Sequence, residues 1–457
     1  MWGRRAAARP GPCDRHPGLA RAGSAAAPGE SSHLRLTPPR YHQGRGAFPL
    51  ARKIVLSYSG GLDTSVAIRW LAEHYDAEVV TLTADLGQER DVAAIGERAK
   101  RIGAVAAEVV DARDMFVRYF VYPALQAGAL YEGIYPLATA LARPLIAYLL
   151  VEAAHKHGAD TVAHGCTGKG NDQVRFDLAV TTLDPALKVV APIREWSMTR
   201  DQEIIYAQER GIPIPVTSAK PYSVDANLWG RSIEAGVLED PGQEPPEDVY
   251  EWTRAIDGAP AEPATARIGF ESGIPVSLDG ERMDGVSLVH RLNTLAGLHG
   301  VGRIDHVENR LVGIKSREIY EAPAGVVLFQ AHAALETLTL TRDAARFKQA
   351  VAAEYADLVY NGKWFSALHQ DLMAFVQSNQ RHVTGEVTLK LHRGSCRVVG
   401  RTSPVSLYSH SLATYDTGDA FDHSAAVGFI RLFGLGTVQQ ARIQSLGLTG
   451  ELPRLPE

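Results

Sequence analysis

The chain has 457 residues, a formal net charge of −5, and 45% hydrophobic against 22% charged residues. That length and balance suit a globular protein of two or three domains and exclude a disordered scaffold or a disulfide mini-protein. The negative total argues against nucleic-acid binding by phosphate neutralisation. Three cysteines, Cys13, Cys166 and Cys396, form no disulfide framework and suit a reducing compartment, so a cytoplasmic location is expected.

Residues 1–51 stand apart. They hold eight arginines against one Asp and one Glu, with seven Pro and seven Gly. Such a stretch cannot bury enough apolar surface to offset its ordering entropy, so a disordered extension is expected. Three origins stay open: a tail, sequence upstream of the true start, or an Arg-rich transit peptide whose helix the Pro and Gly residues would break. Setting this +6 segment aside leaves a body of net charge −11.

From Arg52 the texture becomes strand–helix–strand. Strands are predicted at Lys53–Tyr58, Glu78–Ala84, Ala106–Asp111, Thr161–His164 and Val189–Pro192. Helices are predicted at Asp63–Tyr75, Asp91–Ile102, Asp114–Gln126 and Ala138–His157. The apolar run Pro136–Ala154 is interrupted by Arg143 and Glu152 and reads as a buried helix, so no membrane span is expected. Thr199 and Gln202 match a capping box before a helix that Gly211 ends. This alternation implies an α/β nucleotide-binding domain over 52–216, with a parallel sheet and helices on both faces. After the Pro/acidic linker 241–248 come β-like segments at Ile268–Phe270, Pro275–Leu278, Gly325–Phe329, Thr384–Leu391 and Ser395–Val399. Helices are predicted among them at Leu288–Leu298 and Arg342–Val359. They imply an α+β domain over 217–430. The segment 431–457 holds an amphipathic helix, Thr437–Leu446, whose Val438, Ile443 and Leu446 have no core of their own.

The first chemistry-bearing motif is Ser57-Tyr-Ser-Gly-Gly-Leu-Asp-Thr-Ser65, between the first strand and the first helix. Gly60 and Gly61 allow a tight turn and close approach of a ligand. Free N–H groups and the helix dipole favour an anion there, and Ser59, Thr64 and Ser65 add hydroxyl donors. The plain alternative is a strand-to-helix turn with Asp63 as N-cap. The motif lacks the Lys-Ser/Thr of a Walker A loop and is not G-x-G-x-x-G. It resembles the pyrophosphate loop of the N-type ATP pyrophosphatases, which implies an adenine nucleotide α-hydrolase-like fold and ATP cleaved between its α- and β-phosphates.

A second cluster, His164-Gly-Cys-Thr-Gly-Lys-Gly-Asn-Asp-Gln-Val-Arg-Phe176, follows another strand. Its hydroxyl, amide, carboxylate and guanidinium suit a zwitterionic amino acid. With it, the segments Leu130–Pro144, Ile212–Val216, Gly300–Arg310 and Lys315–Ala324 resemble those of the argininosuccinate synthase family, in order and spacing from Lys53 to about Leu446. The resemblance implies an ATP-dependent ligase of L-citrulline and L-aspartate, acting through a citrullyl-adenylate in arginine biosynthesis, and a homotetramer. It places ATP on Ser57, Tyr58, Ser59, Gly60, Gly61, Leu62, Asp63, Thr64 and Ser65, with Ala84 and Gly165 beside the adenosine. It places citrulline on Tyr135, Asn171, Arg175, Ser223, Ser232, Glu308 and Tyr320, and aspartate on Thr167, Asn171 and Asp172. A position that is often a hydroxyl residue in the family is Ala140 here, with Thr139 beside it.

Read from residues alone, Glu308 either binds the ammonium of citrulline or pairs with Arg303 or Arg310, and Tyr135 and Tyr320 could be ordinary packing. Cys166 reads as a small packing residue. No nucleophile or general base is assigned, and no His spacing suits a protein-held metal, so Mg²⁺ is expected to come with ATP. Two rival readings remain at this point: another N-type ATP pyrophosphatase, such as a tRNA thiolation or amidation enzyme, and a non-catalytic nucleotide sensor.

Overall fold

Five short apolar strands build the first layer: β1 (Lys53–Ser57), β2 (Glu78–Asp85), β3 (Ala106–Asp111), β4 (Thr161–Ala163) and β5 (Lys188–Val190). They pair in parallel in the order β3-β2-β1-β4-β5. The computed structural model describes residues 52–88, 91–196, 198–213, 222–416 and 418–444. The expected disordered extension over 1–51 therefore lies outside the described residues, as does the expected domain boundary at 216.

Alternation along β1 decides what covers each face. Ile54 and Leu56 pack with Val66, Ile68 and Leu71 of α1 (Leu62–Tyr75) and with Ile95 and Ala99 of α2 (Val92–Ile102). Val55 points the other way, into the core that holds Leu141, Leu145 and Leu150 of α3 (Ala138–His157). α3 is buried along most of its length, which accounts for its apolar run. No helix among the described residues is long and apolar enough to cross a membrane. The helix expected over 114–126 is helical over 113–127 but carries a π turn at Val117–Val121. Two more helices complete this layer: α4 (Asp172–Leu183) and α5 (Arg200–Glu209). In α5 the Thr199–Gln202 box is present with both of its hydrogen bonds.

Two antiparallel sheets follow. The first has order β11-β12-β7-β6, from β6 (Ser223–Asn227), β7 (Gly230–Glu234), β11 (Arg303–Asn309) and β12 (Lys315–Glu321). The second has order β10-β9-β8-β13-β14, from β8 (Ala264–Glu271), β9 (Ile274–Leu278), β10 (Glu281–Arg282), β13 (Gly385–His392) and β14 (Ser395–Thr402). Between them run α6 (Gly285–Leu298), α7 (Pro323–Thr339), α8 (Arg342–Tyr360) and α9 (Ala367–Gln380). One apolar core continues from Val55 and Leu141 through Trp229, Leu288 and Leu328 to Leu389, so the parallel layer and the second half share an interior.

The segment Gly325–Phe329, expected to be β-like, is instead part of α7, where Gly325, Val327, Leu328 and Phe329 are all buried. A short continuous apolar run fits a buried helix as well as a buried strand. Near the end, α10 (His423–Phe433) and α11 (Leu435–Ile443) bury no residue at all. Leu432 and Phe433 are 76% and 78% exposed. α11 corresponds to the helix expected at Thr437–Leu446, whose last residues lie outside the described ones. α10 was not anticipated.

The β11-β12-β7-β6 sheet has two unlike faces. Ile233 and Ile319 are fully buried on one, with Leu238 and Val249. The other carries Glu308 on β11, Glu318 and Tyr320 on β12, Ser232 and Glu234 on β7, and Ser223 and Asp225 on β6, as the pairing register requires.

Candidate active site

Strand order reverses between β1 and β4, and in open parallel sheets the crevice at the carboxyl ends of such strands is where ligands bind. Both glycine clusters lie there. After β1, the peptide of Tyr58 is pinned by a bond from its N–H to the Leu82 carbonyl and by Thr83 Oγ1 donating to its own carbonyl, at 2.9 Å each. Gly60 then adopts φ +76°, and Arg98 of α2 donates to its carbonyl at 2.9 Å. Ser59 Oγ lies 3.1 Å from Thr64 Oγ1 and accepts from the Gly61 N–H at 3.3 Å. Tyr58 OH is 3.1 Å from Ser65 Oγ beneath the turn.

The N-cap of α1 is Gly61, with no side-chain cap. Asp63 lies inside the first turn, which sets aside the alternative of Asp63 as N-cap. The uncapped N–H groups and the dipole leave an anion site at this end. Gly61 has φ −75°, so of the two glycines only Gly60 needs the left-handed conformation. A Cβ on Gly61 would meet nothing closer than Ser59 Oγ at 3.4 Å, so the fold itself leaves room for a side chain there.

The second cluster touches the first. A Cβ on Gly165 would lie 2.7 Å from Cγ2 of Thr64. His164, buried, anchors its start: its N–H donates to the Val190 carbonyl, its Nδ1 accepts from the Cys166 N–H, and its Nε2 is 2.8 Å from Asp177. Beyond the glycines, Asp172 accepts from Arg143 at 2.7 Å and from Arg175 at 2.8 Å. Burial would push the Asp172 carboxyl up, but the two guanidiniums outweigh it and hold it down at about 2. Arg143 also bonds Asp225 on the polar sheet face. Arg175 is buried, donates to the Tyr360 carbonyl at 2.9 Å and lies over the Tyr360 ring.

Tyr360, the last residue of α8, organises the other side. Its hydroxyl accepts from Asn171 Nδ2 at 2.7 Å and donates to Glu308 at 2.5 Å. Tyr320 donates to the second Glu308 oxygen at 2.6 Å. Glu308 thus meets two phenols, and neither Arg303 nor Arg310: Arg303 pairs with Glu247, and Arg310 with Glu234 and Glu318. The ring of Tyr135 stacks on Tyr320 at 4.0 Å, and Tyr131 stacks on Tyr360 at 3.5 Å. Burial, followed by the Glu308 charge, raises the phenol of Tyr360 far above its ordinary value and keeps it a donor. Glu318, buried beside Glu234 on the same face, is pushed up to about 8.

The predicted site residues are therefore gathered unevenly. Ser57–Ser65 and Gly165 form one unit, with Ala84 at the end of neighbouring β2. Asn171, Asp172, Arg175, Glu308, Tyr320 and Tyr135 belong to one bonded and stacked network, and Ser232 sits opposite Tyr320 in register. Ser223 and Thr167 are exposed, and among the described residues no hydrogen bond ties them to it. Both ends of the Asn171 amide are engaged, since Oδ1 accepts from the Leu311 N–H at 2.9 Å. Tyr135 OH is taken up by Thr139, at 2.9 Å from its hydroxyl, beside the buried Ala140. Burial raises the thiol of Cys166, consistent with packing. Sequence reasoning missed Tyr360, Asp225 and Arg98. It passed over Arg143, whose signal was a charge inside the apolar run of α3. Among the described residues, no group of three or more His, Cys, Asp or Glu side chains is arranged to hold a metal.

Two family models match: the arginosuccinate synthase N-terminal HUP domain over residues 53–213 and the arginosuccinate synthase C-terminal domain over 222–440. The chain is 56% identical over 397 residues to an argininosuccinate synthase of Dehalococcoides mccartyi, covering 87% of this chain and 98% of that one. It is 58% identical over 394 residues to that of Symbiobacterium thermophilum, covering 86% and 98%. The argininosuccinate synthase of a Synechococcus strain is 57% identical over 394 residues, with 86% and 98% covered.

Proposed function

This chain belongs to the argininosuccinate synthase family, and on that footing we propose how its site joins L-citrulline to L-aspartate at the expense of ATP, releasing AMP and diphosphate. The reaction is that of a carbon–nitrogen ligase. The observation that carries the assignment of parts is the contact of Gly165 with Thr64, which sets a phosphate turn and a mixed-charge cluster side by side.

ATP lies along Ser57–Ser65, its phosphates on the free N–H groups of the first turn of α1, with Ala84 and Gly165 beside the adenosine. Mg²⁺ carried by those phosphates would supply screening of their charge, with no ligand set of the protein's own among the described residues. The ureido oxygen of citrulline attacks the α-phosphate and diphosphate leaves. The amine of aspartate then attacks the ureido carbon and AMP leaves. The chain acts by positioning and charge stabilisation, with no nucleophile of its own. Arg175 receives the citrulline carboxylate and Glu308 its ammonium, with Tyr320, Ser232 and Ser223 along the same sheet face. Tyr135 and Asn171 act chiefly by holding Tyr320 and Tyr360. Thr167 and Asp172 receive aspartate.

We extend the proposal to the whole molecule: a nucleotide-binding part over 52–216, a synthetase part over 217–430, and assembly into a cytoplasmic homotetramer through 431–457. The bare apolar surface of α10 and α11 supports the last point. The raised thiol of Cys166 speaks against a tRNA thiolation chemistry, which needs a reactive thiolate.

Citrulline-dependent exchange of pyrophosphate into ATP tests the reading. Exchange that requires citrulline but not aspartate is expected. Exchange independent of citrulline would overturn the assignment of the amino-acid site.

A further inference from the structure

α5 lies against α1, and its fourth residue, Glu203, is turned into that contact. Glu203 is 5% exposed, and its Oε2 has no hydrogen-bond partner among the described residues. Two groups lie beside it: the carboxyl of Asp63, in the first turn of α1 and within the phosphate turn, and the indole N–H of Trp196, itself buried without a hydrogen-bond partner among the described residues, which acts against a raised Glu203 carboxyl. Two ionised carboxylates packed together would repel, and a buried charge without a partner is costly. A single shared proton removes both penalties.

We propose that Glu203 is a positioning residue for the phosphate turn: protonated, it donates a hydrogen bond to Asp63 and leaves one negative charge, not two, beside the bound phosphates. This rests on the reading of Ser57–Ser65 as the phosphate site. Burial first, and then Asp63, push the Glu203 carboxyl up to about 8. The other charged groups packed around this contact are few. Arg200 on α5 acts against the rise. On α1, Glu73 is occupied by Tyr206 and Arg210, with Arg69 nearby. Glu195, before α5, is held by Tyr75 at 2.5 Å.

The consequence is a particular dependence on pH. As Glu203 ionises, a second negative charge appears next to the turn, and phosphate binding weakens. One added charge within about 10 Å at an effective dielectric of about 20 corresponds to roughly tenfold in affinity.

The test is the KM for ATP of the full-length enzyme, at saturating Mg²⁺, across roughly pH 6.5–9.5, which brackets the raised value. For the unaltered chain, KM should rise about tenfold through that range while kcat changes much less. Glu203→Gln, whose amide donates to Asp63 at every pH, should flatten the rise. Glu203→Ala should show a raised KM already at the acid end. Parallel profiles for the unaltered chain and Glu203→Gln would overturn the proposal. So would a changed Mg²⁺ requirement in Glu203→Gln, which would make the carboxylate a metal ligand. Calorimetric ATP binding to Gly60→Val separates the two readings. If that variant loses ATP while the pH profiles are parallel, only the role of Glu203 fails; if it binds ATP normally, the phosphate turn itself is misassigned.

Discussion

Gly165 and Thr64 are in van der Waals register across the switch point of the parallel sheet: a single added carbon on Gly165 would lie 2.7 Å from the Thr64 methyl. The backbone at Gly165 does not require a left-handed conformation, so the demand for glycine is one of space alone.

Gly165→Ala should therefore push Thr64 out of the phosphate turn. Overpacking of this kind costs about 1–3 kcal/mol, and the KM for ATP should rise by a corresponding factor. Adding Thr64→Ser removes the methyl but keeps the hydroxyl, and the double variant should recover most of the loss. Failure of the recovery would show that Gly165 matters through the ligand and not through Thr64.

The two glycines of the turn should separate. Gly60→Val places a branched side chain at φ +76°, with its Cβ 3.1 Å from Ile95, and should abolish ATP binding and lower Tm. Gly61→Ala meets no such obstacle within the protein. Its Tm should match the unaltered chain, so any loss of ATP affinity measures how closely the phosphates approach.

Asp172 and Arg175 should divide the two half-reactions only in part, because they are bonded to each other. Asp172→Asn should lower aspartate-dependent synthesis by roughly ten- to a hundredfold, the worth of a charge-assisted hydrogen bond of about 1.5–3 kcal/mol. Citrulline-dependent exchange should survive. Arg175→Ala should abolish exchange and also disturb aspartate use, since Asp172 loses one of its two guanidiniums. Equal losses in both assays for both variants would remove the division.

Glu318 should leave a signature in stability. Burial, followed by Glu234, raises its carboxyl to about 8, against an ordinary value of 4.5. The folded state then binds the proton more tightly than the unfolded state. The stability linked to this group falls as pH climbs from 4.5 to about 8 and is level outside that window. Glu318→Gln does not titrate, so its Tm relative to the unaltered chain should climb through the same window. A constant difference would show that Glu318 is ionised throughout.

The bare surface of α10 and α11 predicts assembly. Leu432→Asp with Phe433→Asp should convert the expected tetramer to smaller species by light scattering at micromolar concentration. A monomeric mass for the unaltered chain would end the proposal.

Much of the first layer was legible because its signals are local. β1, α1, α2 and β3 follow from short-range periodicity, α3 from the length of its apolar run, and the phosphate turn is contiguous in sequence. The polar sheet face was harder. Strands β11 and β12 are rich in charge, and the buried apolar contact of their sheet is a single pair, Ile319 of β12 against Ile233 of β7, over a small core. Tyr360 had no local mark at all. It ends a helix, and its bond to Asn171 joins residues 189 positions apart. Gly325–Phe329 was misread because burial on all sides erases the periodicity that distinguishes helix from strand.

The two-faced β11–β12 hairpin also limits how this protein can vary in length. One residue inserted within β11 would turn Glu308 to the opposite face, and one inserted within β12 would do the same to Glu318 and Tyr320, so either would break the network around Glu308. Nor is the whole turn free, since Leu311 N–H is held by Asn171 and Arg310 N–H by the Ile314 carbonyl. Val312 remains, exposed, beside the exposed Gly313, whose N–H bonds the Arg310 carbonyl but which has open space around it. Insertions and deletions among related chains should concentrate at that tip, and it is the place in this hairpin where a short peptide tag can be carried without moving the carboxylates.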